Sequence, residues 1–168
     1  SIGNTFTLSI INSKHPRDNW WFLMIASILI VCVGNICRSP TAAKILGHSL
    51  QNVNVESAGL GAMVGSNANE ISHEIATNNG FNLDGHVARQ LNNTIAAKFD
   101  LILTLELEHQ KYVFDIAPEA RGKTMLLGHW MDQKDIPDPY GKSIEFHESV
   151  YDQISKACNA WVIRLRST

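Results

Sequence analysis

The chain has 168 residues, 45% of them hydrophobic and 18% charged, an ordinary globular balance with enough length for one self-sufficient core. Fourteen lysines and arginines against sixteen aspartates and glutamates leave a formal charge of −2, which excludes the basic footprint of a nucleic-acid-binding protein. Three cysteines, an odd number, argue against a disulfide scaffold and for a reducing compartment, taken as the cytoplasm.

The first apolar stretch, Trp20 to Val33, is 14 residues long and so falls short of the ~20 a membrane-spanning helix needs. No membrane insertion is expected. Within it, Ser27-Ile-Leu-Ile-Val31 is short and β-branched, as in a strand buried on both faces. The chain then turns at Gly34 and Asn35, Ser39 and Pro40 read as N-cap and first helical residue, and a helix continues to Leu50. Val53 to Ser57 alternates like a strand and ends at Gly59. Ile71 and Ile75 suit a helix over Asn69–Asn79 that closes at Gly80. A short helix over Asn92–Phe99, a buried strand over Asp100–Leu105 and a helix over Glu106–Ala117 follow, the last ending at Pro118. Lys123 to Leu127 reads as the fourth strand, before a long loop through Pro137 and Pro139. From Ser143 on, Phe146, Val150, Ile154, Cys158, Trp161 and Leu165 recur every three or four residues, the apolar face of a final helix. Such alternation predicts an α/β fold of three layers: a four-stranded parallel sheet with helices on both faces. Ligands in such folds bind beyond the carboxyl ends of the strands, where Cys32 lies.

That position matters because of the string Val31-Cys-Val-Gly-Asn-Ile-Cys-Arg-Ser-Pro40. A loop between a strand and a helix N-terminus converges its N–H groups on one point, which favours an anion. A thiol at the positive end of a helix and beside an arginine is favoured as thiolate, so Cys32 is the candidate nucleophile. Arg38 offers a planar fork that grips two phosphate oxygens, and the Ser39 hydroxyl can stabilise the sulfur as leaving group. A bare Cys-x5-Arg spacing is weak, since free cysteine is among the most buried residue types. The full string in a strand-turn-helix context is far more specific.

Hydrolysis of a phosphate ester also calls for a proton donor at the leaving oxygen. Asp138 is the candidate, kept extended on a loop by Pro139, although an Asp-Pro pair alone is more often a plain turn. Gly59-Leu-Gly61-Ala-Met-Val-Gly65 imitates a dinucleotide fingerprint, but its third glycine comes one residue late and no apolar helix starts inside it. The seven histidines lack ligand spacing, so no metal or other cofactor is expected. Glu106, Glu108 and their neighbours read as a solvated helix face.

Together with Glu56-Ser-Ala-Gly59, Gly85-His-Val-Ala-Arg-Gln90 and Ile136-Pro-Asp-Pro-Tyr140, the cysteine string resembles the low-molecular-weight protein tyrosine phosphatases over residues 27 to 165. Ser57 to Gly65 with Leu127-Gly-His-Trp130 looks most like the bacterial branch associated with capsule and exopolysaccharide export, whose members act on an autophosphorylating tyrosine kinase. The resemblance implies a phosphocysteine on Cys32 and phosphate binding by Val33, Gly34, Asn35, Ile36, Cys37, Arg38 and Ser39. It also implies general acid and base catalysis by Asp138, and a supporting network of Asn35, Ser39, Ser57 and His86. Tyr140 matches one wall of the substrate slot and Met63 aligns near the other, where eukaryotic relatives carry aromatic residues. Gly141 stands where those relatives often have a second tyrosine. Cys37 matches either a partner for an oxidised Cys32 or a packing residue.

Family members usually begin just before the first strand, near Met24 here. Residues 1–23 are therefore read as an added extension with a non-native start, and 24–168 as the phosphatase domain. An arsenate reductase on the same fold would need resolving cysteines past the first loop, yet none occurs between Cys37 and Cys158. A catalytically silent phosphotyrosine-binding module fits poorly with a nucleophile, an arginine and an acid all retained.

Overall fold

The computed structural model describes Phe22 and residues 24–166. Its centre is β1 (Ser27–Cys32), whose side chains alternate between two buried faces. Ile28, Ile30 and Cys32 enter one hydrophobic cluster and Leu29 and Val31 the other, which is why the strand is apolar throughout. β2 (Asn54–Gly59) pairs with one edge of β1 and β3 (Leu101–Thr104) with the other, both parallel, and β4 (Thr124–Leu126) lies outside β3. The order is β2-β1-β3-β4. The chain leaves β1 toward one side and returns from β2 to the other, so the winding reverses at β1. A crevice opens there at the carboxyl ends of the strands.

α1 (Arg38–Ser49) and the long α5 (Ile144–Arg166) cover the Ile28 and Ile30 face. Trp161 of α5 is fully buried in that layer, and its indole N–H donates to the Leu127 carbonyl at 2.8 Å. α3 (Asn93–Ala97) and α4 (His109–Ile116) cover the opposite face, where Ala96 and Val113 meet Leu29 and Val31. α2 (Glu70–Asn78) packs beside α1 and α5. It starts where expected because the Asn69 side chain accepts from the Ile71 and Ser72 amides. Among the described residues no helix is long and apolar enough to cross a membrane.

Three boundaries depart from the sequence reading. α1 begins at Arg38, with Cys37 at its cap position, so Ser39 lies inside the first turn and is not the N-cap. Its hydroxyl is engaged with the Cys32 sulfur instead. α4 begins only at His109, which leaves Glu106 in the turn after β3 and not on a helix. The segments flanking β4, Pro118–Lys123 and Leu127–Trp130, are 3₁₀ turns. Phe22, inside the segment read as an extension, is buried and meets Trp130 and Trp161 edge-on at centroid distances of 6.5 and 6.4 Å. The rest of residues 1–23 lies outside the described residues.

Candidate active site

Between β1 and α1 the chain wraps a tight loop whose carbonyl oxygens are all drawn outward. Cys32 O accepts from Leu60 N at 2.9 Å, Val33 O from Gly61 N at 3.0 Å and Gly34 O from Met63 N at 3.0 Å. Asn35 O accepts from the His86 Nε2–H at 2.6 Å, Ile36 O from Asn69 N at 2.8 Å, and Cys37 O from the Thr41 hydroxyl at 2.7 Å. In a planar trans peptide the N–H points opposite to the carbonyl, and no peptide bond here is cis. Six outward carbonyls therefore turn the amides of Val33 through Arg38 inward. They form a cradle for an anion at the helix N-terminus.

Asn35 makes that wrap possible. Its φ of 57° is left-handed, a conformation asparagine tolerates better than most residues. Fully buried, it donates to Ser39 Oγ at 2.8 Å and Ser57 Oγ at 2.9 Å, and accepts from Arg89 N at 2.9 Å. Arg89 in turn donates through Nε to the Ser57 carbonyl at 3.0 Å. Ser39 Oγ lies 2.9 Å from Cys32 Sγ. That oxygen also accepts from Asn35, which leaves its own proton free to be donated to the sulfur. Gly59, at the end of β2, has no alternative: a Cβ there would run into the Val33 carbonyl oxygen.

Arg38 is only 2% exposed. Its Nη1 donates to the Ile136 carbonyl at 2.8 Å and to the Glu106 carboxylate, and its Nη2 stands 3.7 Å from Asp138 Oδ2. Glu106 is also held by His109, whose Nδ1 accepts from the Glu106 amide at 3.3 Å while Nε2 faces the carboxylate at 3.6 Å. Burial, and then the Arg38 charge, lower the proton affinity of His109. The ring is thereby kept neutral beside the guanidinium.

The loop from Cys32 to Arg38 floors a pocket of about 200 Å³, walled by Gly61, Met63, Asp138 and Tyr140. Asp138 is 49% exposed and Tyr140 55%. An Asx turn shapes this rim, the Tyr140 amide donating to Asp138 Oδ1 at 3.1 Å. A larger hollow of about 450 Å³ lies behind the loop, against Ser57, His86 and Arg89, but no cysteine lines it. Cys37 is buried in a small cluster with Ile36 and Ala88, and burial pushes its thiol up to about 11. All three cysteines are free, and burial also raises the thiol of Cys158, enclosed on α5. No three His, Cys, Asp or Glu side chains among the described residues gather as metal ligands.

Every residue singled out from the sequence thus lies in or directly behind one pocket. Two functional neighbours were missed. Glu106, read as part of a solvated helix face, is the counter-ion of Arg38; its position two residues past Thr104, at the carboxyl end of a strand beside β1, was the available signal. Arg89 lay inside a quoted motif with no role, and only the fold brings it against Asn35 and Ser57.

The sequence profile of a family described as low molecular weight phosphotyrosine protein phosphatase matches residues 27–168. The chain is 47% identical over 143 residues to the low molecular weight protein-tyrosine-phosphatase Etp of Escherichia coli K12, covering 85% of this chain and 97% of that one. It superposes on Wzb, a tyrosine phosphatase of Escherichia coli K30 solved with sulphate, with a TM-score of 0.83 at 44% identity, over 84% of this chain and 99% of the other. Vibrio vulnificus Wzb, solved with benzylphosphonate, gives 0.81 at 44% identity, over 82% and 97%.

Proposed function

Given that this chain belongs to the low molecular weight protein tyrosine phosphatases, we propose that it hydrolyses phosphotyrosine at Cys32, Arg38 and Asp138. The phosphoryl oxygens enter the amide cradle and meet the Arg38 guanidinium, which concentrates donors where charge builds up in the transition state. Cys32 Sγ attacks phosphorus in line. The S–P bond forms as the P–O bond to the ring breaks, and the Asp138 carboxyl protonates the departing phenolate. As a carboxylate, Asp138 then takes a proton from water, whose oxygen attacks phosphorus and expels the Cys32 thiolate. Ser39 donates to that sulfur in both steps. Val33, Gly34, Asn35, Ile36 and Cys37 supply the cradle, while Ser57 and His86 brace it from behind. Tyr140 and Met63 flank the tyrosine ring, and the Tyr140 face suits an offset stack.

The observation that carries this reading is the six-amide cradle beside Cys32 with Asp138 on the rim of the same pocket. The likeness of Ser57 to Gly65 and of Leu127 to Trp130 to the capsule and exopolysaccharide branch supports a partner for this reaction: an autophosphorylated bacterial tyrosine kinase, met in the cytoplasm. The test is to incubate the protein with such a kinase in its phosphorylated form, following phosphotyrosine and released phosphate. Loss of phosphotyrosine with the wild type, and none with Cys32→Ser, is expected. A kinase left phosphorylated by an enzyme that still turns over p-nitrophenyl phosphate removes the partner and leaves the chemistry standing.

A further inference from the structure

Beneath the acid-bearing loop lies a polar pair that the catalytic reading leaves unused. His147, in the first turn of α5, is 3% exposed, and its Nδ1 stands 3.4 Å from Ser72 Oγ on α2. Its Nε2 is closed to solvent and, among the described residues, has no hydrogen-bond partner. Buried polar atoms are seldom left so, and a hydrocarbon ring would fill this space without that cost. The arrangement calls for a role. Beside the ring is a hollow of about 10 Å³, room for one water, lined by Cys37, Arg38, Thr41, Ser72 and Pro139 among others. It touches both the phosphate loop and the residue next to Asp138.

Ser72 is itself well placed to hold the ring. Asn69 caps its amide at 3.1 Å and donates to Ile36 O at 2.8 Å, so the start of α2 is fixed to the phosphate loop. Ser72 and Cys37 line the hollow together. Burial lowers the proton affinity of His147 against a smaller opposing pull from Asp138, which leaves a neutral ring with one N–H. The titratable and charged groups around it are Cys37 and Arg38 from the phosphate loop, Asp138 from the acid loop and Tyr151 from α5.

We propose that His147 is a positioning residue for the general acid: Ser72 orients its ring, and its Nε2, through one water in the hollow, ties the Pro139 end of the acid loop to the phosphate loop. The role rests on Asp138 as proton donor. It sets how that carboxyl meets the leaving oxygen and does not touch the phosphoryl group.

The test compares kcat/KM on aryl phosphates with good and poor leaving groups for His147→Leu, His147→Gln, Asp138→Ala and the Leu variant combined with Asp138→Ala. In His147→Leu, phenyl phosphate is expected to lose about tenfold and p-nitrophenyl phosphate under about twofold, with inhibition by inorganic phosphate unchanged. His147→Gln, whose amide reaches the Nε2 position, recovers most of the loss. In the Asp138→Ala background His147→Leu adds nothing further. An equal loss on both substrates, weakened phosphate inhibition or an additive loss in the double variant overturns the proposal. If His147→Leu does not fold, Gln against Asn decides: Asn supplies only the Nδ1 position, and an Asn variant as active as Gln rejects the role of Nε2. Should Asp138→Ala itself spare poor leaving groups, the acid assignment fails first and takes this proposal with it.

Discussion

Two loops meet over the pocket and are built on opposite plans. The phosphate loop, Val33 to Cys37, is held from every side: its carbonyls are bonded outward and Asn35 joins it to Ser39, Ser57 and Arg89. The acid loop around Asp138 and Tyr140 is half open to solvent. Its side chains rest on an Asx turn and on a 3.7 Å approach of Asp138 to Arg38. The contrast suits the two proposed roles. A cradle that presents six amides to a transition state works only if the amides are already aimed, because reorienting them during reaction would consume the stabilisation they provide. On the proposed mechanism the wall admits a protein-borne tyrosine and then delivers a proton, which asks it to yield.

The difference can be broken with substitutions of graded effect. Cys32→Ser should abolish turnover of p-nitrophenyl phosphate, by ~10⁴-fold or more, while phosphate or vanadate still binds, since the cradle survives. Substantial residual turnover would remove Cys32 as nucleophile. Asp138→Ala should cost about 10²- to 10⁴-fold on aryl phosphates with poor leaving groups and much less on good ones. A flat leaving-group profile would end its assignment as acid.

A direct contrast comes next. Asn35→Ala removes three side-chain hydrogen bonds and leaves a non-glycine residue in left-handed backbone, so a loss of about 3 kcal/mol of stability is expected in denaturant titration, with weakened phosphate binding. Tyr140→Ala on the acid loop should leave stability within about 0.5 kcal/mol and raise KM several-fold for aryl substrates. Equal stability losses in the two variants would erase the distinction between the loops.

The smallest effect concerns acid. Burial lowers the proton affinity of His109, His129 and His147 in the folded chain. Below the ordinary histidine value of about 6.5, the unfolded chain therefore takes up protons before the folded one does. Stability is complete above that value and falls as pH drops through it, until the folded rings also protonate. The thermal midpoint should decline from pH 7 to 5.5, less steeply in His129→Gln, a position away from the pocket beside Trp130 and Trp161. An identical decline in both proteins would refute the contribution of His129.

Much of this was legible in residue order alone. The strand, turn and helix around Cys32, the parallel sheet and the candidate acid before Pro139 all rest on local rules: β-branched runs form buried strands, Gly and Asn turn, and proline keeps its predecessor extended. Those rules act within a few residues, so one chain suffices to read them. They misled where side chains serve distant partners. Ser39 looked like a helix cap but gives its hydroxyl to Cys32, and Glu106 looked solvated but lies against Arg38, 68 positions earlier. Ser72 and His147, 75 positions apart, carried no sequence signal. What the sequence determined by itself was which groups could do the chemistry. Only the tertiary structure decided which of them are aimed, because hydrogen bonds between groups this far apart exist only once the sheet has brought their elements together.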